Sequence, residues 1–455
     1  MSNIRTPLNK QTISTISRQL RTRKVTSQLI TETCLEQISL KNKTLNAFIT
    51  VFTDEALQQA CEADRELKAG LDRGPLHGIP LSLKDLIDVR GVPTTAASRV
   101  RKDHIAATDA NIVTRLRKAG TVLIGKCNLH EFALGTTNED SAYGPAKNPF
   151  DLSRSPGGSS GGSAVSVTAG MSLGSIGTDT GGSIRIPSAA CGLVGLKPAY
   201  QEISMDGIVP LSHTLDHAGP LCHSVEDASI IYRFLCGMPE TSLDAKPVHG
   251  LRLGVPRNYF LSLLDAQVAA SFQATCDRLT QAGVILEDVN IPHANDIVGI
   301  YTNIILSEAA TCHAQELKTR ASDYTTPVRV RLELGNNILK KDYVKALHGQ
   351  KTLRQEVDTA LHNCNGLLLP TVAVPATVLG ANTVHIGSSE ESIRKITLRL
   401  TQLFNLTGHP ALTMPCGQTI EGLPIGAQLV GPAGRTVELL QLARNLEGNI
   451  SRNNA

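Results

Sequence analysis

The chain has 455 residues, of which 41% are hydrophobic and 19% charged, and its formal net charge is +3. This composition supports a large core. It lacks the clustered basic arm of a nucleic-acid-binding protein, and with no Trp and 3% aromatic residues it offers little surface for stacking on bases. No apolar run is long enough to span a membrane, and residues 1–11 lack the hydrophobic stretch of a secretory signal. We expect a soluble cytoplasmic protein that binds neither membranes nor nucleic acid directly.

The ten cysteines are scattered and form no CxxC motif, which predicts a reducing compartment and no structural zinc site. The thirteen histidines are equally dispersed, without HExxH or HxH. His213 and His217 are spaced four apart, but no acidic residue follows at a ligand-like distance. We therefore predict no metal and no other cofactor.

Spacings of three and four between apolar residues predict the helices. In chain order these cover residues 11–40, 52–70, 111–119, 163–169, 266–283, most of 296–360, and 437–447. Gly120 directly follows the third of them and is suited to end it. The helices within residues 1–70 are predicted to pack on the main body.

Apolar runs predict buried strands. They cover residues 76–89, where the strand ends at Lys84, then 121–125, 284–291 and 366–374. Strands and helices alternate, and no repeat or low-complexity linker divides the chain. We predict an α/β fold in which residues 1–455 form one large domain, with a mixed, mainly parallel sheet covered by helices on both faces.

The most unusual segment is residues 151–200, which hold 11 of the 38 glycines. Two clusters of hydroxyl groups lie there, one at Ser159 and Ser160 and the other between Thr178 and Ser183. A Gly/Ser tract is usually a solvated linker, but apolar runs such as 164–167 interrupt this one. The pattern predicts a buried site lined by hydroxyl groups and backbone amides.

Two common motifs fit poorly. Residues 120–127 resemble a phosphate-binding P-loop, but the segment ends in Cys and its middle is strand-like, so we expect no nucleotide. The GxSxG pattern of a Ser-His-Asp hydrolase occurs around both Ser159 and Ser160, and it follows the polar segment 151–156 instead of a hydrophobic strand. Such a triad is a possible but unfavoured alternative.

A different set of motifs fits nearly the whole chain. GIPLSLKD (78–85), GGSSGG (157–162) and GTDTGGSIR (177–185) resemble the amidase signature family, and the resemblance continues through CGLVGLKP, LDHAGPL, FNLTGHPALTMP and GLPIGAQLVG. It implies a Ser–Ser–Lys triad: Ser183 matches the nucleophile, Ser159 the bridging serine and Lys84 the base. The backbone N–H groups of Thr180, Gly181, Gly182 and Ser183 match the oxyanion hole, and Gly135, Thr136 and Arg185 match residues near the substrate pocket.

These roles make chemical sense. A serine needs a base within hydrogen-bond reach, and lysine can serve only when neutral, which burial favours. Lys84 follows Leu81 and Leu83 on an apolar strand, in keeping with such burial. We interpret Asp179 and Arg185 as structural residues of the loop, with a contact from Arg185 to a substrate carboxylate as the alternative.

The resemblance implies an amidase that hydrolyses the C–N bond of a small linear carboxamide through a serine acyl-enzyme and releases ammonia or an amine. Two alternatives remain: the glutaminase component of a tRNA-dependent amidotransferase, known as its A subunit, or an amidohydrolase of biuret- or allophanate-type urea derivatives. Segments 185–187 and 197–204, and Glu139-Asp140, depart from the pattern of the amidotransferase subunits. The expected partner is a small amide substrate. We also expect a homodimer or, under the amidotransferase alternative, a small partner subunit.

Overall fold

The structure, a computed structural model, describes residues 7–239 and 241–451. The helices are α1 Ile13–Arg21, α2 Ser27–Leu45, α3 Thr53–Lys68, α4 Asn111–Lys118, α5 Gly161–Thr168, α6 Arg185–Ala190, α7 Val225–Cys236, α8 Asn258–Leu261, α9 Ala266–Gln281, α10 Ile297–Cys312, α11 Ala314–Arg320, α12 Thr326–Gly335, α13 Lys340–Leu361, α14 Ile393–Leu398, α15 Gln402–Thr407 and α16 Thr436–Ile450. The strands are β1 Phe48–Val51, β2 Pro80–Lys84, β3 Val122–Cys127, β4 Gly174–Asp179, β5 Val194–Lys197, β6 His217–Cys222, β7 Arg252–Pro256, β8 Ile285–Val289, β9 Gly366–Pro370, β10 Thr383–Ile386, β11 Ser389–Ser392, β12 Ala411–Gln418 and β13 Pro424–Val430.

Eleven strands form one sheet in the order β1-β3-β2-β4-β6-β5-β12-β13-β9-β7-β8, while β10 and β11 form a separate hairpin. The predicted α/β domain with a large mixed sheet flanked by helices is confirmed. Parallel pairing is confined to two blocks, β3-β2-β4 and β9-β7-β8. The pairs between these blocks are antiparallel, so parallel pairs are fewer than we predicted. One of these pairs has a local cause, because β12 and β13 are joined by a short turn that permits only antiparallel pairing.

The segment predicted as a helix over 11–40 is two helices. Thr26 caps the start of α2 by accepting a hydrogen bond from the Leu29 N–H at 3.1 Å. Arg23, in the linker before it, has a left-handed backbone with φ of 55°, which a continuous helix cannot contain. The other predicted helices are present within a few residues, and 296–360 contains α10 to α13.

The predicted strands are also present, with the first shortened to Pro80–Lys84 and ending at Lys84 as expected. Helices α2 and α3 pack on each other and against β2 and β3, and α1 packs against α7. Residues 1–6 and 452–455 of the predicted 1–455 domain lie outside the described residues.

The fold brings three segments to one edge of the sheet. Because β2 and β4 are adjacent and parallel, their carboxyl ends lie side by side. Lys84 is the last residue of β2, and the GTDTGGS segment continues from the end of β4. The loop with Ser159 and Ser160 enters α5, which packs against β2 and β4. The two hydroxyl clusters and the lysine therefore meet inside the protein.

Candidate active site

Lys84 is fully buried and points at the hydroxyl groups of two neighbouring segments. Its Nζ donates to Ser159 Oγ at 2.7 Å and to Thr178 Oγ1 at 2.8 Å. Burial lowers the pKa of Lys84 to about 7, while the carboxylates of Asp179 and Asp216 oppose this by favouring the ammonium. A lysine of this kind is substantially neutral near pH 7 and can accept a proton.

Ser159 is held from both sides of its loop. Its carbonyl oxygen accepts a hydrogen bond from the His130 N–H at 3.0 Å, and the peptide bond between Gly158 and Ser159 is cis. A Cβ on Gly158 would lie 2.8 Å from the backbone nitrogens of Thr137 and Asn138, so only glycine fits there. The close approach fixes the serine loop against residues 136–138.

Ser183 lies in the turn between β4 and α6 and is almost entirely buried. Its carbonyl oxygen accepts from the Ser160 N–H at 3.2 Å, which ties the nucleophile candidate to the Ser159 loop. The hydroxyl of Ser160 is used elsewhere, since it donates to the Thr178 carbonyl at 3.1 Å. The structure therefore brings Lys84, Ser159 and Ser183 close together in the interior of the protein.

The loop between Asp179 and Ser183 presents its amides in a fixed direction. Asn405 Nδ2 donates to the Asp179 carbonyl at 2.9 Å, and Thr401 Oγ1 donates to the Gly181 carbonyl at 2.6 Å. In a planar trans peptide the N–H points opposite to the carbonyl, so the N–H groups of Thr180 and Gly182 point away from residues 401–405.

Those amides are free to bind a ligand. Within residues 7–239 and 241–451, no acceptor is present for the N–H groups of Gly181, Gly182 and Ser183. Converging unpaired N–H groups can stabilise a developing oxyanion. The sequence identified the loop, but it did not identify Thr401 and Asn405 as the residues that orient it.

Arg185 is fully buried and forms a bidentate ion pair with Asp179, with two N···O distances of 3.0 Å. Its remaining N–H groups donate to the Thr401 carbonyl and to the side-chain oxygens of Asn405 and Gln428. All five donors are satisfied within the protein. This favours the structural interpretation and leaves no N–H for a substrate, so Arg185 does not belong to the candidate pocket.

Burial would raise the pKa of the Asp179 carboxyl, but the adjacent Arg185 guanidinium holds it well below its usual range. Asp179 also accepts from the Ile184 N–H at 3.1 Å. The ion pair therefore stabilises both ends of the loop from Asp179 to Arg185.

Gly135 and Thr136, which the family resemblance places near the substrate pocket, are buried in a loop beside the Ser159 segment. A Cβ on Gly135 would lie 2.0 Å from the His130 ring, which packs directly against this glycine. Thr136 is buried next to Gly158. The loop is thus in contact with the Ser159 segment.

Two arginines that the sequence analysis did not identify converge beside this loop. Arg331 and Arg394 donate to the Leu134 carbonyl at 3.2 and 3.4 Å. Burial, together with the positive charge of Arg331, lowers the pKa of Arg394 to about 10. Asp140 lies 3.7 Å from Arg331 and 3.1 Å from His130 Nε2. Among the described residues no carboxylate forms an ion pair with Arg394, so an unpaired positive charge lies beside Gly135.

The described residues contain no cluster of three or more His, Cys, Asp and Glu side chains that could hold a metal ion. His217 begins β6 and is buried, while His213 is exposed, so the pair does not form a common ligand face. In the part of the chain that the structure describes, no helix is long and apolar enough to cross a bilayer.

Comparison with known proteins agrees with the geometry. The chain matches the sequence model of the Amidase family over residues 29–440. It is 34% identical to the A subunit of the glutamyl-tRNA(Gln) amidotransferase of Koribacter versatilis (strain Ellin345), covering 97% of this chain and 98% of that one.

Solved structures show the same likeness. The crystal structure of an amidase superposes with a TM-score of 0.92 at 37% identity, covering 97% of this chain and 100% of that chain. The peptide amidase of Stenotrophomonas maltophilia superposes with a TM-score of 0.82 at 29% identity, covering 97% of each chain. This chain belongs to the Amidase family, and it is an enzyme that hydrolyses C–N bonds of amides.

Proposed function

We propose that this enzyme hydrolyses a small linear carboxamide through an acyl-enzyme on Ser183, with Ser159 and Lys84 as its proton relay. The observation that carries the proposal is the fully buried contact of 2.7 Å between Lys84 Nζ and Ser159 Oγ, next to the unpaired amides of the Ser183 loop. The proposed cofactor requirement is none, since every step uses groups of the chain and water.

The acylation step runs as a proton relay. Ser183 Oγ attacks the amide carbon as its proton passes to Ser159 Oγ, whose own proton passes to neutral Lys84. The N–H groups of Thr180 to Ser183 bind the oxyanion, a contribution of about 3 kcal/mol for a single donor. Collapse of the intermediate breaks the C–N bond, and the proton returns through Ser159 to the leaving nitrogen. Water then attacks the ester by the same relay, releasing the carboxylic acid and restoring Ser183.

The charge beside the pocket supports a substrate whose acyl part carries an anionic group. Arg331 and Arg394 bring two positive charges to the Leu134 carbonyl, next to Gly135. An amide that ends in a carboxylate would complete this cluster, because guanidinium groups bind carboxylates well. The test compares succinamate with butyramide, an uncharged amide of equal chain length. We expect Arg394→Gln to raise KM at least 10-fold for succinamate and to leave butyramide within about 2-fold. Equal effects on the two amides would contradict the anionic preference.

A glutaminase subunit is the second candidate, favoured by the 34% identity over 98% of an amidotransferase A subunit. Such a protein would need a partner that accepts ammonia, whereas an independent amidase works alone, as a monomer or homodimer. The purified chain should therefore be assayed by itself on simple amides, on glutamine and on biuret. We expect turnover of simple amides. Activity on glutamine that requires a partner protein would favour the second candidate, and a preference for biuret would favour the urea-derivative alternative.

A further inference from the structure

Asp216 lies opposite the catalytic loop because of the register of two strands. In the antiparallel pair β4–β6, Asp179 is paired with His217. One step beyond this last pair, Thr180 and Asp216 face each other. Thr180 Oγ1 donates to Asp216 Oδ1 at 2.7 Å, and both side chains are buried.

The other oxygen of Asp216 is bound to the backbone of its own loop, residues 211–216. Asp216 Oδ2 accepts from the N–H groups of Leu211 and Ser212 at 2.8 and 3.0 Å. The carboxylate therefore joins the Thr180 hydroxyl on one side to the backbone of residues 211–212 on the other. Hydrogen bonds to an ionised acceptor are stronger than neutral ones, so this connection is stiff.

The loop of residues 211–216 is itself fixed to the helical layer. Glu308 of α10 accepts from the Thr214 N–H at 3.1 Å, from the Thr214 hydroxyl at 2.8 Å and from the Ser212 hydroxyl. Tyr343 of α13 donates to the same carboxylate at 2.9 Å. A rigid support thus extends from α10 and α13 through Asp216 to Thr180.

Among the described residues, Thr180 is otherwise held only through its preceding carbonyl group, where Asn405 binds the Asp179 oxygen. Its side chain supplies the second constraint. A small rotation of this residue would turn the amide N–H away from an oxyanion, because that hydrogen bond depends steeply on direction.

We propose that Asp216 is a positioning residue that holds Thr180, and with it the oxyanion-binding amides, in the geometry needed for the transition state. The inference rests on the proposed function, in which these amides bind the oxyanion of a Ser183 adduct. Asp216 does not touch the substrate in this account. At a pH well above 7, where Lys84 is neutral with or without the charge of Asp216, the loss of this support should appear in kcat.

The test is a double-mutant cycle with a rescue variant. Thr180→Val removes the hydroxyl donor, Thr180→Ser keeps it, and Asp216→Asn removes the charge. For a good amide substrate we expect Thr180→Val and Asp216→Asn each to lower kcat at least 10-fold, with KM within about 3-fold of the wild-type value. The loss in kcat should be smaller than the roughly 10²–10³-fold loss that follows removal of an entire oxyanion donor. Thr180→Ser should restore kcat to within about 3-fold of the wild type. The double mutant should be no slower than the slower single mutant.

Thr275→Val is the matched control. Thr275 is a buried threonine on α9 whose hydroxyl donates to the Ser271 carbonyl at 2.9 Å. The kcat of this variant should equal that of the wild type. The inference would be overturned if the fold-losses in kcat of the two single mutants multiplied in the double mutant. It would also be overturned if Thr180→Val and Thr180→Ser lost kcat equally. If Asp216→Asn does not fold, the Thr180 pair decides alone. Labelling of wild-type Ser183 by a fluorophosphonate separates the two claims: no label would refute the proposed function itself, whereas a labelled Ser183 with multiplied losses would refute only the role of Asp216.

Discussion

Lys84 Nζ and Ser159 Oγ lie 2.7 Å apart in the interior of the protein, although 75 positions separate them in the chain. Both side chains are inaccessible to solvent, and Thr178 provides the second acceptor for the amine. Lys84 is the last residue of β2, an inner strand between β3 and β4 on which α2 and α5 pack, and its side chain is fully buried. This burial makes the lysine a usable base near neutral pH.

The pH profile of acylation should reflect this base. Burial lowers the pKa of Lys84 to about 7, and only the neutral amine can accept the proton. Activity should therefore fall as the pH drops below about 7, by about 10-fold per pH unit well below that value. The measurement is kcat/KM for a neutral amide between pH 5 and about 9, since the substrate itself does not titrate there. A flat profile across this range would contradict the assignment of Lys84 as the base.

Substitution of Lys84 should abolish acylation without unfolding the chain. Lys84→Arg keeps the positive charge but cannot lose its proton in the working range, so kcat should fall at least 10³-fold, within the range that positioned acid–base groups contribute. Lys84→Met should give a similar loss. Circular dichroism serves as the control for folding. Turnover of Lys84→Arg near the wild-type rate would mean that Lys84 is a structural cation.

Removing one partner of the buried Asp179–Arg185 ion pair should lower the free energy of unfolding more than replacing both partners with uncharged residues. Asp179→Asn leaves the Arg185 guanidinium buried and uncompensated, and we expect the free energy of unfolding at pH 7 to fall by about 3–5 kcal/mol. The double variant Asp179→Asn/Arg185→Met removes both charges and should be less destabilised than Asp179→Asn alone. Urea unfolding of the three proteins measures this, and an equal or greater loss in the double variant would be evidence against the pairing.

The difference in the free energy of unfolding between the wild type and Asp179→Asn should depend on pH in a definite direction. Arg185 holds the Asp179 pKa below its unfolded value of about 3.9, so the stabilisation is fully present above that pH. The gap between the wild type and Asp179→Asn should shrink as the pH falls below about 4. A gap that stays constant down to acid unfolding would show that the charge of Asp179 is not the source of the stability.

Gly158 should tolerate no side chain. A Cβ there would meet the backbone nitrogens of Thr137 and Asn138 at 2.8 Å, and backbone cannot move aside as a flexible side chain can. We expect Gly158→Ala to destabilise the protein by about 1–3 kcal/mol and to lower kcat, because Ser159 is displaced. Gly448→Ala is the control, since that glycine lies within α16 and, apart from the neighbouring backbone of that helix, no heavy atom of the described residues lies within 4 Å of the added methyl group. It should leave stability unchanged or raise it slightly.

The candidate catalytic segments can be predicted from the sequence because each of them is a short motif of characteristic residues. Lys84 at the end of an apolar strand, the Ser159 loop and the Ser183 loop could each be located before the structure was known. Strands β5, β6, β12 and β13 were missed because they are mostly buried on both faces and contain Gly or Pro, so the alternation that marks a half-exposed strand is absent.

The residues that complete the site were missed for a different reason. Asp216 and Asn405 lie within the motifs LDHAGPL and FNLTGHPALTMP, whereas Thr401, Arg331 and Arg394 lie outside the quoted motifs. The roles of all five residues depend on three-dimensional contacts between distant segments, which the motifs do not show. For Arg185 the sequence analysis favoured a structural role over a substrate contact, and its five buried hydrogen bonds within the protein agree with that interpretation.

The most direct test of the account is the identity of the acylated serine. The purified enzyme should be incubated with a fluorophosphonate or sulfonyl fluoride, digested, and mapped by mass spectrometry. We expect a single covalent adduct on Ser183, present in Thr275→Val and lost in both Ser183→Ala and Lys84→Met. An adduct on Ser159 or Ser160 with Ser183 unmodified would contradict the central claim.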